Sequence, residues 1–481
     1  MTRLRNIVRQ VSDEDYQGLC NNLKQTKADK FLTLLKMLRE NNDDYSKIQK
    51  KIKVNASAFY TIKSRLYDKI QDYLLEHMET PKVDLLKNVA AIPRLVYDTS
   101  RETAVALLSK METDLKAYDM PGELTSVYAA FKNIYLNSPK YYDYAKQYNK
   151  HVAYTVALDK AEDLLGDFIR KLSHYLLSRN EELLEVFPLI KMEMDNVCAL
   201  YESHHLYIYH SIINACIDLF LPPDNCTKDD EPIEDMLEKC EDFISRYPRN
   251  QYQYLRRVIS FLYFEYYHKM ERHRKEAEFF EAVNIELPNF LLYNFCCPAS
   301  LFLLSKTDRY IKLGQTDVLI EESKLIEQWF NNDTDDIFTF INVKKYLAVC
   351  AFYDEDYAAA ASILNDLLNT IGLKDVPHTA VEIKLFLSLC YSMVNKYDLA
   401  WNILRSASRK VNELNKIADY ENASYFIKLM KMQMKTGQKN IKQKLSRLWE
   451  NFRMLNRGPS HMLEYLHLDE KLISKLAKPI K

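Results

Sequence analysis

Apolar residues recur along this chain at intervals of three and four. In SAFYTIKSRLYDKIQDYLLEH, Phe59, Ile62, Leu66, Ile70, Tyr73 and Leu74 fall on one face of a long helix. Ser57 is placed to cap its start. SRETAVALLSKMETDLKAY opens on Thr99 or Ser100 as a cap and stripes through Val105, Leu108, Met111 and Leu115. TDVLIEESKLIEQWF and NIKQKLSRLWENF show the same period. The interruptions are short: 41–45, 119–123, 136–142, 246–250 and 331–336. Long helices joined by brief turns predict antiparallel helical hairpins. The longest interruption, LPPDNCTKDDEP at 221–232, is polar with two adjacent prolines and is the strongest candidate for a boundary.

One stretch of the pattern is repeated. LAVCAFYDEDYAAAASILNDLL, from Leu347, is echoed forty residues later by LSLCYSMVNKYDLAWNILRSAS. Leu347, Cys350, Tyr357, Ala360, Ile363 and Leu364 return as Leu387, Cys390, Tyr397, Ala400, Ile403 and Leu404. Self-similarity at such a period signals a stack of like units. Each copy reads as a helix, a short polar turn and a second helix. The alanines stand where two helices must approach closely, and the tyrosines are expected to pack across the turn with their hydroxyls on exposed backbone groups.

The second copy resembles a tetratricopeptide repeat. Leu387 and Ser388 match that family's first-helix apolar–small pair, and Tyr391 its following aromatic. Tyr397 matches the turn aromatic, and Ala400, Leu404 and Ala407 the second-helix small–large–small series. In the first copy Leu347, Ala348, Tyr357, Ala360 and Leu364 fit, but Ala351 replaces the aromatic and Leu367 the last small residue. Both copies lack the family's tryptophan (Lys344, Lys384) and its turn glycine (Glu355, Lys396). The period of 40 exceeds the family's usual length of about 34. The clear match covers 343–410, and weaker echoes suggest the same rhythm over 85–457.

The resemblance implies an inner groove lined by exposed first-helix positions. These are Asn342, Lys345, Val349, Phe352 and Tyr353, then Glu382, Leu385, Leu389, Ser392 and Met393. Family members that bind chaperone tails clamp a terminal carboxylate with paired Lys and Asn. Here Lys345 suits that task, but Val349, Leu385 and Leu389 do not. The groove instead suits an apolar helix or loop, or the chain's own next hairpin.

Composition sharpens this picture. The 481 residues include only 7 glycines, too few for hairpin-rich sheets or glycine-rich phosphate loops. With 47% apolar and 28% charged residues the chain can bury a core. Nine cysteines, odd in number and with no Cys-x-x-Cys, read as small buried residues in a reducing compartment. No apolar stretch follows the basic start MTRLRNIVRQ, and the apolar-rich run 290–304 is interrupted and short, so neither a signal peptide nor a membrane span is expected. A cytoplasmic location follows. The net charge of −1 conceals basic ends, +4 over 1–80 and +9 over 425–481, on an acidic middle.

Catalytic motifs are missing. No Walker phosphate loop, dinucleotide fingerprint, nucleophile elbow or His-Glu-x-x-His occurs. His205 and His210 are five apart and diverge on a helix, so no metal pair is expected. The tyrosines of YPRNQYQYLRRVISFLYFEYYHKM, beside arginines, have the chemistry of a binding surface or of single-strand stacking. Their plainer role is to fill gaps between long helices. One rival function lies near the start. YSKIQKKIKVNASAFYTIKSRL reads as a helix-turn-helix, with Ile48 and Ile52 inward, Val54 in the turn, Asn55 or Ser57 as cap, and Phe59 and Ile62 as anchors. Lys47, Lys50, Lys51, Lys53, Lys63, Arg65 and Lys69 surround it as candidate nucleic-acid contacts. Lys53 stands where such a turn wants glycine, and the second helix extends to about His77. The alternative is a first hairpin that caps the repeat stack.

The reading is an all-α protein, a right-handed α-α superhelix of antiparallel hairpins with a period of about 40. Residues 1–80 form a helix-turn-helix or cap, 81–225 and 226–457 two helical-repeat segments, and 458–481 a basic capping helix. The function expected is a non-enzymatic scaffold or adaptor without cofactor or metal, binding a protein or peptide through Asn342, Lys345, Phe352, Tyr353, Glu382, Ser392 and Met393. The alternative is a transcriptional regulator that contacts nucleic acid through 45–70 and senses a partner with its repeats. No membrane partner is expected.

Overall fold

The computed structural model describes residues 4, 7–8, 11–40, 45–76, 81–223, 231–246, 250–291, 295–329, 334–416, 419–434, 440–458, 460–467 and 469–477. The side chains of 45–47, 76, 81–82, 250–251, 253 and 328–329 lie outside that description. The described residues are helical throughout and contain no strand. The chain divides into two compact units, Met1–Ala90 with Ile326–Asn331, and Ala91–Leu325 with Asn332–Lys481. The larger unit runs through the expected break at 221–232, of which 224–230 lie outside the described residues.

The smaller unit contains α1 (Asp13–Gln25), α2 (Asp29–Arg39), α3 (Tyr45–Ile52), α4 (Ala56–Glu76) and α5 (Pro81–Ala90). Ser12 caps α1 by accepting from the Asp15 amide. Leu34, Leu35 and Leu38 of α2 share a core with Ile48, Ile52, Phe59, Leu66 and Ile70. The apolar stripe read from the sequence is therefore the packed face of α3 and α4. Lys53, in the link between these helices, takes φ +55°, the left-handed conformation for which glycine is favoured. Asn55 is the cap of α4, its Oδ1 accepting from the Ala58 amide at 2.8 Å.

The larger unit begins with α6 (Ile92–Asp98), α7 (Arg101–Ala117), α8 (Pro121–Ile134) and the 39-residue α9 (Lys140–Ser178). Then come α10 (Phe187–Leu200), α11 (His204–Phe220), α12 (Ile233–Arg246), α13 (Asn250–Lys269), α14 (His273–Ile285) and the single turn α15 (Leu287–Phe290). They are followed by α16 (Leu301–Lys312), α17 (Thr316–Trp329), α18 (Ile337–Tyr353), α19 (Tyr357–Thr370), α20 (Pro377–Met393) and α21 (Tyr397–Leu414). The last are α22 (Glu421–Gln433), α23 (Ile441–Leu455) and α24 (Glu470–Leu476). Helices pack on their chain neighbours, as in α8 on α9, α13 on α14, α18 on α19, α20 on α21 and α22 on α23. This is the arrangement of an all-α helical solenoid.

The forty-residue echo is two successive hairpins, α18–α19 and α20–α21. Ala360 and Ala400 are fully buried where α19 and α21 cross their partners, as a close approach requires. The left-handed turn residues are Glu355 (φ +63°) and Asn395 (φ +60°), which keeps the register of forty. Lys396, which aligns with the family's turn glycine, is the residue after it. The tyrosine hydroxyls do not go to backbone groups. Tyr357 accepts from Lys475 Nζ at 3.3 Å, and Tyr397 donates to Asn395 Oδ1 at 2.8 Å. A charged neighbour outcompetes the turn carbonyls in each case.

Residues 458–481 are not one helix. Gly458 at φ +83° turns the chain after α23, residues 460–467 are largely non-helical, and α24 begins only where Asp469 caps it.

Candidate functional site

The first helices of both hairpins, α18 and α20, are apolar all round, which is the signature of a helix buried on every side. The tertiary structure buries them. Asn342, Lys345, Phe352, Glu382 and Ser392 are each no more than 7% exposed, and Tyr353 and Met393 are half-buried. An open groove lined by these residues is therefore not present. The end of α9 packs against α18 and α20, and Thr379 Oγ1 donates to the Leu177 carbonyl at 2.8 Å. The other cover is the chain's own segment 460–467.

That segment is held chiefly through its main chain. Leu463 N–H donates to Glu382 Oε1 at 2.9 Å. The Tyr353 hydroxyl donates to the Tyr465 carbonyl at 3.1 Å and accepts from the His467 amide at 3.0 Å. Asn422 Nδ2 donates to the Ser460 carbonyl, and the Asn456 amide bonds both ways with the Met462 main chain. Two side chains anchor it. The Tyr465 ring packs on Phe386 and lies under the Lys345 ammonium, 5.3 Å from the ring centroid. Leu463 is 1% exposed and sits at φ +56°, a strained conformation for leucine. Beyond it, Lys471 and Lys475 of α24 bind Glu355 at 2.8 and 2.7 Å and draw its carboxyl down to about 2.

Of the seven expected partner residues, three thus act on the segment: Tyr353 and Glu382 directly, and Lys345 both over the Tyr465 ring and as the ion-pair partner of Glu382 at 2.6 Å. Asn342 donates to Ser300 Oγ at 3.0 Å, Ser392 to Gln433 Oε1 at 2.5 Å, and Phe352 packs on Phe386 and Tyr357. Those three are interior packing groups.

Beside the segment lies a cavity of about 970 Å³, walled by α13, α16, α18, α20, α23 and the ends of α9 and α11. Its charged groups escaped the sequence reading. Asp308 is their hub: it bonds His268 Nε2 at 3.2 Å, Lys312 at 2.6 Å and His467 of the segment at 3.3 Å. His268 also meets Glu276 at 3.0 Å, which Arg309 binds at 2.8 Å. Burial raises the Asp308 carboxyl, but these three cations outweigh it and hold it below the usual range. Burial likewise pulls His268 down, and Asp308, Glu265 and Glu276 more than offset it. Glu265 is 3% exposed, and burial pushes its carboxyl up. One signal was legible: Glu265 is the lone acid inside the apolar run VISFLYFEYYHKM. The tyrosines of that run fill gaps between helices; Tyr252, Tyr263 and Tyr267 are buried.

In the smaller unit Lys50, Lys51, Lys53, Arg65 and Lys69 are exposed, and Lys63 is half-buried. Lys47 lies on α3, its side chain outside the described residues. Lys69 Nζ rests 5.9 Å from the Phe31 ring centroid. Among the described residues no group of three His, Cys, Asp or Glu is placed to hold a metal, and no helix is long and apolar enough to cross a membrane.

Fold and site together define an all-α protein of paired helices whose interior helices grip an extended stretch of its own chain. No family model, curated protein or solved structure matches the sequence.

Proposed function

We propose that the protein is a non-catalytic interaction protein, a right-handed tetratricopeptide-like superhelix that holds extended peptide. One observation carries this reading: α18 and α20 bind 460–467 through its amides and carbonyls, the groups every peptide shares. The internal segment stands in for a partner, which presents a similar strand with a large aromatic between two apolar residues. A reducing, cytoplasmic setting is part of the reading, and the free thiol state of every described cysteine supports it.

The test uses the full chain and a labelled peptide of sequence SHMLEYLH, that of 460–467. Leu463→Asp places a charge in the buried seat and releases the internal segment. That variant is expected to bind the peptide. The wild type, whose tethered segment competes at high effective concentration, should bind at least about tenfold more weakly. A released variant that keeps its helical circular dichroism yet ignores the peptide sinks the proposal.

The second reading, a nucleic-acid-binding regulator, draws on the smaller unit. Its α3–α4 pair has the cap, the inward isoleucines and the exposed lysines of a helix-turn-helix. Full-length protein should then shift random duplex DNA at about 50 mM salt and lose it as salt rises. Lys50→Glu with Lys53→Glu should abolish the shift. Binding unchanged by those substitutions, or no shift at all, rejects a role for 45–70.

A further inference from the structure

Two buried polar atoms with opposite needs face the cavity beside the segment. Glu265 Oε1 has no hydrogen-bond partner, although its side chain is 3% exposed. Arg179 Nε, at the left-handed end of α9, is likewise buried and unpartnered, while its Nη2 lies 3.1 Å from His461 Nε2. An orphaned buried acceptor or donor costs about 1–3 kcal/mol, so each needs an occupant of the cavity to complete it.

Lys269 lies between them in the electrostatic sense. It stands one helical turn after Glu265 on α13, so the two side chains share a face. Its charge interacts with both Glu265 and Arg179. The side chain is accessible, yet protein surrounds it, because the space it enters is the cavity. Its ammonium rests 5.1 Å from the Phe220 ring centroid, and among the described residues no carboxylate pairs with it. The remaining acids nearby are engaged. Asp308 is held by His268, His467 and Lys312, Glu382 by Lys345, and Glu464 by His461. What stays open is one carboxylate oxygen on one side, and one ammonium with one guanidinium N–H on the other.

A ligand with an amino group and a carboxylate satisfies all three. We propose that the cavity binds a small zwitterionic amino-carboxylate compound, its ammonium on Glu265 and its carboxylate on Lys269 and Arg179. The volume of about 970 Å³ accepts a compound larger than one amino acid. The shared chemistry has two sources, free amino acids and short peptides with free termini. This site does not depend on exchange of segment 460–467, since the seated segment forms part of its wall.

The experiment is isothermal titration of the full-length wild-type chain with each standard amino acid singly and with tri-alanine bearing free termini. The N-acetylated and amidated forms of every binder serve as controls. At least one unblocked compound should bind; binding by amino acids points to a free metabolite, and binding by tri-alanine alone to peptide termini. Blocking its amino group should weaken it at least about tenfold, and Glu265→Gln should reproduce that loss. Lys269→Met, a change at an accessible side chain, should weaken the unblocked compound and leave its amide unaffected. The proposal is overturned if no unblocked compound produces heat. It is equally overturned if the heat survives both N-acetylation and Lys269→Met.

Discussion

Lys345→Met is expected to destabilise the larger unit by about 3–5 kcal/mol in urea unfolding, because it strands a buried carboxylate. Lys345 and Glu382 form an ion pair at 2.6 Å with side chains 9% and 6% exposed. Burial raises the Glu382 carboxyl, but Lys345, His378 and the Leu463 amide together hold it at about 2. Without Lys345 the desolvated charge loses its strongest partner. Lys345→Met with Glu382→Leu should recover most of the loss, since removing both charges also removes their desolvation cost. The double variant also loses the Leu463 tether, so segment 460–467 should show faster amide exchange while the helices remain protected. The pH dependence follows from a depressed carboxyl. In the wild type this contribution is complete above the ordinary glutamate value near 4.5, and it is lost as pH falls from there to about 2. In Lys345→Met that acid transition weakens or reverses. A single variant as stable as the wild type would mean the pair is not buried in solution.

Asp308→Asn should cost about 3 kcal/mol and free the far end of the segment, because it removes the shared anion of His268, His467 and Lys312. Two linked titrations give the expected pH profile two edges. The lowered Asp308 carboxyl contributes stability above the ordinary aspartate range, lost as pH falls below it. The raised His268 contributes stability that is complete below about pH 6.5 and declines as pH rises through its folded value. Wild-type stability, followed by urea midpoints across pH, should therefore be highest between these edges. Asp308→Asn should flatten both. A profile that keeps its alkaline edge in the variant would assign that edge to another group.

The hairpins were legible because their determinants are local. Phe59 to Leu74, Ala360 and Ala400 lie where their spacing puts them, and the short turns between helices left antiparallel packing as the natural outcome. The expected groove failed for a non-local reason. A three-to-four periodicity tells which face of a helix is apolar, but α18 and α20 are apolar all round, so no outward face could be read. What buries their polar positions arrives from α9 and from 460–467, up to about two hundred residues away in sequence. The forty-residue register did carry one hint. Lys345, Phe352 and Tyr353 break the repeat against Leu385, Ser392 and Met393. Lys345 and Tyr353 proved to hold the segment, whereas Phe352 packs in the interior.

By itself, then, the sequence determined the all-α class, the hairpin unit, the forty-residue register and the buried small residues at the crossings. Each depends on spacing within a few helical turns. Tertiary structure alone decided that the inner face is occupied by the chain's own C-terminal segment. It also decided that Glu265, Lys269 and Arg179 face one cavity with their bonding incomplete. Such facts depend on which distant surfaces meet, and desolvation, the force that gives those charges their significance, exists only once the surfaces have met.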